Sequence, residues 1–123
     1  MSVKEILKSS IEGSGEVAKS LMETVTGLVK EGTGDIGELF GAVIDLGKEG
    51  VVDVTEGTKD VYVASVKALE ESGQTTEEAI TTVTTKAEEA IGAIGEGGAE
   101  SVGDAAKKGI EEAKGIVTKP FEK

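Results

Sequence analysis

The sequence predicts an all-α fold of long amphipathic helices, and two features of the chain support this prediction. First, apolar residues recur with a period of eleven over nearly all of the 123 residues. Second, the two-residue alternation typical of a half-buried strand occurs only briefly, at Val61 and Val63. An eleven-residue period corresponds to about 3.67 residues per turn, close to the natural helix value, so it keeps one face of a helix apolar.

Dividing the chain into elevens from Met1 places the apolar side chains at the third, sixth, seventh and tenth positions. These four positions lie on one face of an α-helix, and we call this face the apolar stripe. The stripe is the predicted interaction face, and its members are Val3, Ile6, Leu7, Val17, Leu21, Val25, Leu28, Val29, Ile36, Leu39, Phe40, Val43, Val51, Val54, Val61, Tyr62, Leu69, Ile80, Val83, Ile91, Ile94, Val102, Ile116 and Val117. The first and fifth positions are mostly acidic, with Asp60 among them, and are expected to face away from the stripe.

The first predicted element is a long amphipathic helical repeat segment over residues 1–72. Asp35 is suited to cap a new helix inside it, which makes the neighbouring residues a weak point. The eleven-residue phase nevertheless continues across this point, and a loop of arbitrary length would have shifted it. We therefore expect a bent or continuous helix here rather than several unrelated short ones.

A turn is predicted at residues 72–75, where Ser72 and Gly73 interrupt the stripe. Gly73 is suited to end a helix, and Thr75 followed by Glu78 matches a capping box. A second amphipathic helical segment, residues 73–119, would then fold back against the first as a coiled coil, an elongated hairpin or a bundle. Whether residues 95–101 break this segment is left open. Pro120 ends helicity, so residues 120–123 form a tail.

The composition argues against several classes of function. A net charge of −11 disfavours nucleic acid, whose phosphates require clustered cations. The chain has no His and no Cys, which disfavours an imidazole base and a zinc site. Its adjacent acidic pairs point about 100° apart on a helix and do not converge. We predict no enzyme activity, no catalytic residue, no metal and no cofactor. With one Tyr, two Phe and no Trp, little core is expected either.

The location of the protein is predicted from the apolar runs of the chain. The N-terminus lacks the apolar run of a signal peptide. No stretch approaches the roughly 20 apolar residues of a membrane-spanning helix. We therefore expect a soluble, cytoplasmic protein.

The stretches "GKEGVVDV" and "EGTKDVYVAS" resemble the eleven-residue repeats of synucleins, which centre on Lys-Thr-Lys-Glu-Gly-Val. Residues 48–51 match the Lys-Glu-Gly-Val part, whereas Gly47 stands where the repeat has Thr. The chain is similar in period to apolipoproteins, to late-embryogenesis-abundant proteins and to right-handed coiled coils with eleven-residue (hendecad) repeats. The resemblance to the first three implies a chain that becomes helical on lipid or on drying.

Three functions are consistent with these patterns. The first is a structural protein that self-associates through the apolar stripe into a right-handed coiled coil, bundle or filament, with itself as partner in a homo-oligomer. The alternative is a protein that coats a lipid surface or an inclusion reversibly, with the stripe laid into the interface. The third is a hydrophilic protectant without a fixed partner. Oligomer number and helix orientation stay open at this level.

Overall fold

A computed structural model of the protein describes residues 3–14, 17–32, 35–94 and 100–118. Within these ranges the chain forms α-helices and no strand, which confirms the predicted all-α class. The helices pack against one another in a bundle. In chain order they are α1 (Val3–Ser14), α2 (Val17–Glu31), α3 (Ile36–Lys48), α4 (Val54–Glu71), α5 (Thr76–Ile94) and α6 (Glu100–Thr118).

Helix α4 is the centre of the bundle. It contacts α2, α3, α5 and α6, whereas α1 packs on α2 and α3. Because it has neighbours on several sides, α4 is buried nearly all round over residues 57–66. Helix α3 also contacts α5 and α6, so the two predicted segments belong to one bundle.

The first predicted segment differs from the bent or continuous helix expected over residues 1–72, because the structure divides it into α1 to α4. Two glycines adopt positive φ at the ends of helices, Gly32 at 74° and Gly50 at 82°. Two aspartates then start the next helix: Asp35 accepts from the backbone N–H of Gly37, and Asp53 from that of Glu56. The repeat runs through these turns unshifted, so its phase does not report where a helix ends.

The turn predicted at residues 72–75 lies between α4 and α5. Gly73 adopts a φ of 111° there, a conformation that favours glycine. The capping box forms: the backbone N–H of Glu78 donates to Thr75 Oγ1 over 3.1 Å, and that of Thr75 donates to Glu78 Oε1 over 2.9 Å. Residues 95–99, part of the undecided break, and the predicted tail 120–123 lie outside the described residues.

The bundle has a continuous core, contrary to the expectation from its low aromatic content. Val, Leu, Ile and Ala supply most of this core, and it is contiguous across the bundle. Its two aromatic rings, Phe40 of α3 and Tyr62 of α4, meet edge to face with centroids 6.4 Å apart. The Tyr62 hydroxyl is also hydrogen-bonded to Thr84 Oγ1 of α5 at 2.6 Å. Tyr62 therefore joins three helices at the centre of the molecule.

Candidate interaction surfaces

Most of the described members of the apolar stripe lie inside the bundle. The buried members are Leu7, Leu21, Val25, Ile36, Leu39, Phe40, Val43, Val61, Tyr62 and Val83. The partly buried members are Ile6, Leu28, Val29, Val51, Val54, Leu69, Ile80, Ile91 and Val117. Ile116 is 46% exposed, and it is the one large exposed hydrophobic side chain of the described residues. The side chains of Val3, Val17, Ile94 and Val102 lie outside the described part of the molecule.

The core also contains apolar residues that the four repeat positions did not include. Four of them occupy the eleventh position of the repeat: Ile11, Ile44, Val66 and Ile110. On a helix the eleventh position lies about 40° from the seventh, so it widens the stripe. The apolar residues at the eleventh position were therefore the sequence signal that could have identified these core residues. Others, such as Val63 and Ala64, are buried because neighbouring helices surround α4. The periodicity of a single helix does not indicate how many neighbours that helix has.

Helices α4 and α6 cross at a glycine. A Cβ on Gly109 of α6 would lie 3.1 Å from Thr58 Cβ and 3.2 Å from the Lys59 backbone N, and closer still to the Thr55 carbonyl oxygen. The Thr55 hydroxyl also donates to the carbonyl oxygen of Ala105 over 3.1 Å. This approach requires glycine, so Gly109 serves the contact between α6 and α4.

Polar groups of α4 are buried in the bundle without full compensation. Thr58 and Ser65 are both fully buried, and neither side-chain hydroxyl has a hydrogen-bond partner among the residues that the structure describes. A buried polar group without a partner costs about 1–3 kcal/mol relative to its hydrated state. The closed bundle therefore buries apolar groups favourably, but it also removes polar groups of its central helix from water, which is unfavourable.

Asp60 departs from the sequence prediction. It occupies an acidic repeat position that was expected to face solvent, yet it is only 8% exposed. Burial raises the pKa of Asp60 to about 6, because the charged form loses hydration; neighbouring Lys59 opposes this rise and Glu56 adds to it. The prediction was wrong here because it treated α4 as having a free outer face, which packing against four helices removes.

Helix α1 is attached to the end of α3 by two lysines that share one carboxylate. Lys4 pairs with Glu49, and Lys8 Nζ lies 3.8 Å from the other oxygen of the same carboxylate. The hydrogen bond between Lys4 and Glu49 raises the pKa of Lys4 and lowers the pKa of Glu49. Glu49 is the C-cap residue of α3, where the helix dipole disfavours a negative charge. The two lysines compensate that charge.

In the described residues, clusters of metal-ligating side chains and membrane-spanning helices are both absent. No group of three or more His, Cys, Asp or Glu residues in them is arranged to hold a metal ion. No described helix is long and apolar enough to cross a membrane. The features that remain for function are the covered apolar faces, the buried polar groups of α4 and the attachment of α1.

Comparison with known proteins gives no relative for this chain: no protein-family model, curated protein or solved structure matches it.

Proposed function

We propose that the protein is a non-enzymatic, reversible coat of lipid or other apolar surfaces, which opens its bundle to place its apolar helix faces on them. In water the helices cover these faces for one another. On a surface, the apolar stripe exchanges neighbouring helices for the apolar phase. The fold provides preformed amphipathic helices for this exchange, so opening requires separation of helices rather than new secondary structure.

The observation that carries the proposal is the environment of α4. In the closed bundle this helix buries Asp60, which lies on the face of α4 opposite the apolar stripe. An interfacial helix has one face in the apolar phase and the other in water. Opening would return the Asp60 carboxylate to water, and the surface would keep Val61 and Tyr62 covered. Transfer of α4 from the bundle to the surface therefore removes the free-energy cost of burying the Asp60 carboxylate.

The single tyrosine of the chain allows a direct test, because Tyr62 is fully buried and there is no Trp. We expect the protein to float with small phosphatidylcholine vesicles and to keep its far-ultraviolet helical signal. The Tyr62 emission should become sensitive to brominated acyl chains, which quench only groups inserted in the lipid. Binding without such quenching would show attachment of the closed bundle and would contradict the exchange.

Matched variants on α3 test the faces that would be exchanged. Leu39→Ser with Phe40→Ser removes two large, buried stripe residues, and we expect loss of vesicle flotation. Glu38→Ser changes the exposed neighbour and should leave flotation unchanged. Equal flotation of the two variants would rule out the stripe as the lipid-binding face. Circular dichroism of each variant in buffer separates loss of binding from loss of folding.

Self-association is the second candidate, and the crossing at Gly109 favours it. Close backbone contact through a glycine is useful between helices but gives no advantage on lipid. Exchange of α6 between two copies would recreate the same crossing between chains, since domain swapping re-forms existing contacts. Light scattering should then show a dimer whose share rises with concentration. A constant monomer mass would exclude this candidate.

A further inference from the structure

We propose that α1 is the first helix to leave the bundle, and that Lys4 and Lys8 then exchange Glu49 for the phosphates of a zwitterionic phospholipid surface. This inference rests on the proposed function, because it concerns the order and chemistry of the same opening. The partner is a phospholipid interface, which supplies both an apolar layer and phosphate acceptors.

The position of α1 in the bundle supports early release. Helix α1 packs on α2 and α3, whereas α4 is enclosed by α2, α3, α5 and α6. Of the described side chains of α1, Leu7 and Ile11 are buried, and Ile6 is partly buried. Removing α1 therefore leaves the contacts of α4 with its four neighbours in place. Release of α4 would disrupt all of them.

The ion pairs that hold α1 are suited to exchange. The side chains of Lys4, Lys8 and Glu49 are 36%, 43% and 41% exposed, so water and other anions reach them. Exposed pairs of this kind hold weakly. Lys4 and Lys8 are four residues apart and therefore lie on one side of α1, beside its apolar face. Lysines in this position extend to interfacial phosphates while the apolar side chains enter the lipid.

The charge of α1 also favours it as the first contact. Its sequence contains two Lys and two Glu, so the helix is neutral in a protein with a net charge of −11. Acidic surfaces are repelled by lipid phosphates less strongly when the headgroup is zwitterionic, and a neutral helix is repelled least. Release of Glu49 leaves both lysines free to bind phosphate.

The first test removes the acid that holds α1. Glu49→Gln should increase the association constant for phosphatidylcholine vesicles about two- to fivefold, as expected for loss of an exposed ion pair. Glu38→Gln, an exposed change of the same charge at the opposite end of α3, is the matched control and should have no such effect. Equal association constants for the two variants would overturn the proposal.

The second test separates release of α1 from the use of its lysines. Lys4→Gln with Lys8→Gln also breaks the attachment to Glu49, but it removes the groups that would bind phosphate. We expect this double variant to bind phosphatidylcholine vesicles more weakly than Glu49→Gln. On phosphate-free maltoside micelles the two should bind equally. Equal binding of the two on vesicles would overturn the role of the lysines.

The third test measures the order of events. The chain has no Cys, so Ser9→Cys on α1 and Thr85→Cys on α5 each place one polarity-sensitive dye at an exposed site. After rapid mixing with vesicles, the α1 dye should respond before both the α5 dye and Tyr62. Simultaneous responses, or a later α1 response, would overturn the order.

The outcomes distinguish this inference from the proposed function. If wild-type protein binds no vesicles, the proposed function fails, and the inference fails with it. If wild-type protein binds and Tyr62 enters the lipid, but Glu49→Gln equals Glu38→Gln and the α1 dye does not respond first, only the inference fails. No variant in this series needs a change in the core, so folding does not limit the result.

Discussion

At the scale of single residues, the glycines of this chain have opposite roles within one helix. Gly109 of α6 meets the backbone of α4, whereas a Cβ on Gly115 of the same helix would meet nothing within 4 Å. Glycine is normally a cost inside a helix, since it weakens the helix relative to alanine. Glycine is nevertheless required at position 109, because the side chain of any larger residue would overlap α4 at the crossing.

The two glycines therefore predict opposite effects of the same substitution. Gly109→Ala should destabilise the protein by about 1–3 kcal/mol, because the new methyl group overlaps the α4 backbone. Gly115→Ala should stabilise it by up to about 1 kcal/mol through helix propensity. Urea unfolding followed by circular dichroism measures both changes. A stabilising Gly109→Ala would contradict the close crossing.

Asp60 provides a pH-dependent prediction at the same scale. Its pKa is raised to about 6 from an ordinary value of 3.8, so the folded state favours the protonated form. The associated stability is complete below about pH 3.8 and is lost as the pH rises through about 6, a change of about 3 kcal/mol. Asp60→Asn, which is neutral throughout, should remove this loss.

The control for Asp60 is Asp104→Asn, an exposed acid on α6. Urea unfolding between pH 4 and pH 7.5 should show the wild-type loss of stability in Asp104→Asn and its absence in Asp60→Asn. The same downward trend in Asp60→Asn would assign the pH dependence to other carboxylates.

At the scale of the elements, helix ends are specified by local chemistry. The Thr75–Glu78 capping box at the start of α5 was predicted from sequence and is present. The helix ends at Gly32 and Gly50 carry two local signals, a glycine with positive φ and then an aspartate, Asp35 or Asp53, that caps the next helix. Periodicity concealed these turns because the apolar phase is maintained across them.

The capping box predicts a measurable contribution to stability. Thr75→Ala removes the acceptor for the Glu78 backbone N–H and should destabilise the protein by about 1 kcal/mol. Thr85→Ala, at an exposed interior position of the same helix, should be neutral or slightly stabilising because alanine favours helix. Thermal unfolding of both variants measures the difference. Equal melting temperatures would show that the cap does not hold the start of α5.

At the scale of the whole molecule, the apolar stripe is satisfied mainly within one chain. Core residues from α1 through α6 form one cluster, and little large apolar surface is exposed among the described residues. An isolated amphipathic helix needs a partner to cover its apolar face. In this protein, other helices of the same chain cover it. Surface coating and self-association both require this cluster to open.

Intramolecular packing predicts that helicity does not depend on concentration. Circular dichroism in plain buffer should give the same helical signal over an about hundredfold range of protein concentration, since no second chain is needed to cover the core. Light scattering on the same samples reports the mass. A helical signal that rises together with mass would favour the self-associating candidate over the surface coat.

The sequence by itself determined the helical class, the apolar face, the turn at residues 72–75 and the caps at Asp35 and Thr75. These features depend on neighbours within about one or two turns, whose spacing is directly visible in the chain. Tertiary structure alone decided that α4 lies at the centre, that Asp60 is buried, that Gly109 is the crossing point and that Glu49 holds α1. Each of these depends on which helices meet, and residues about 50 apart in the chain, such as Thr55 and Ala105, meet only once the bundle closes.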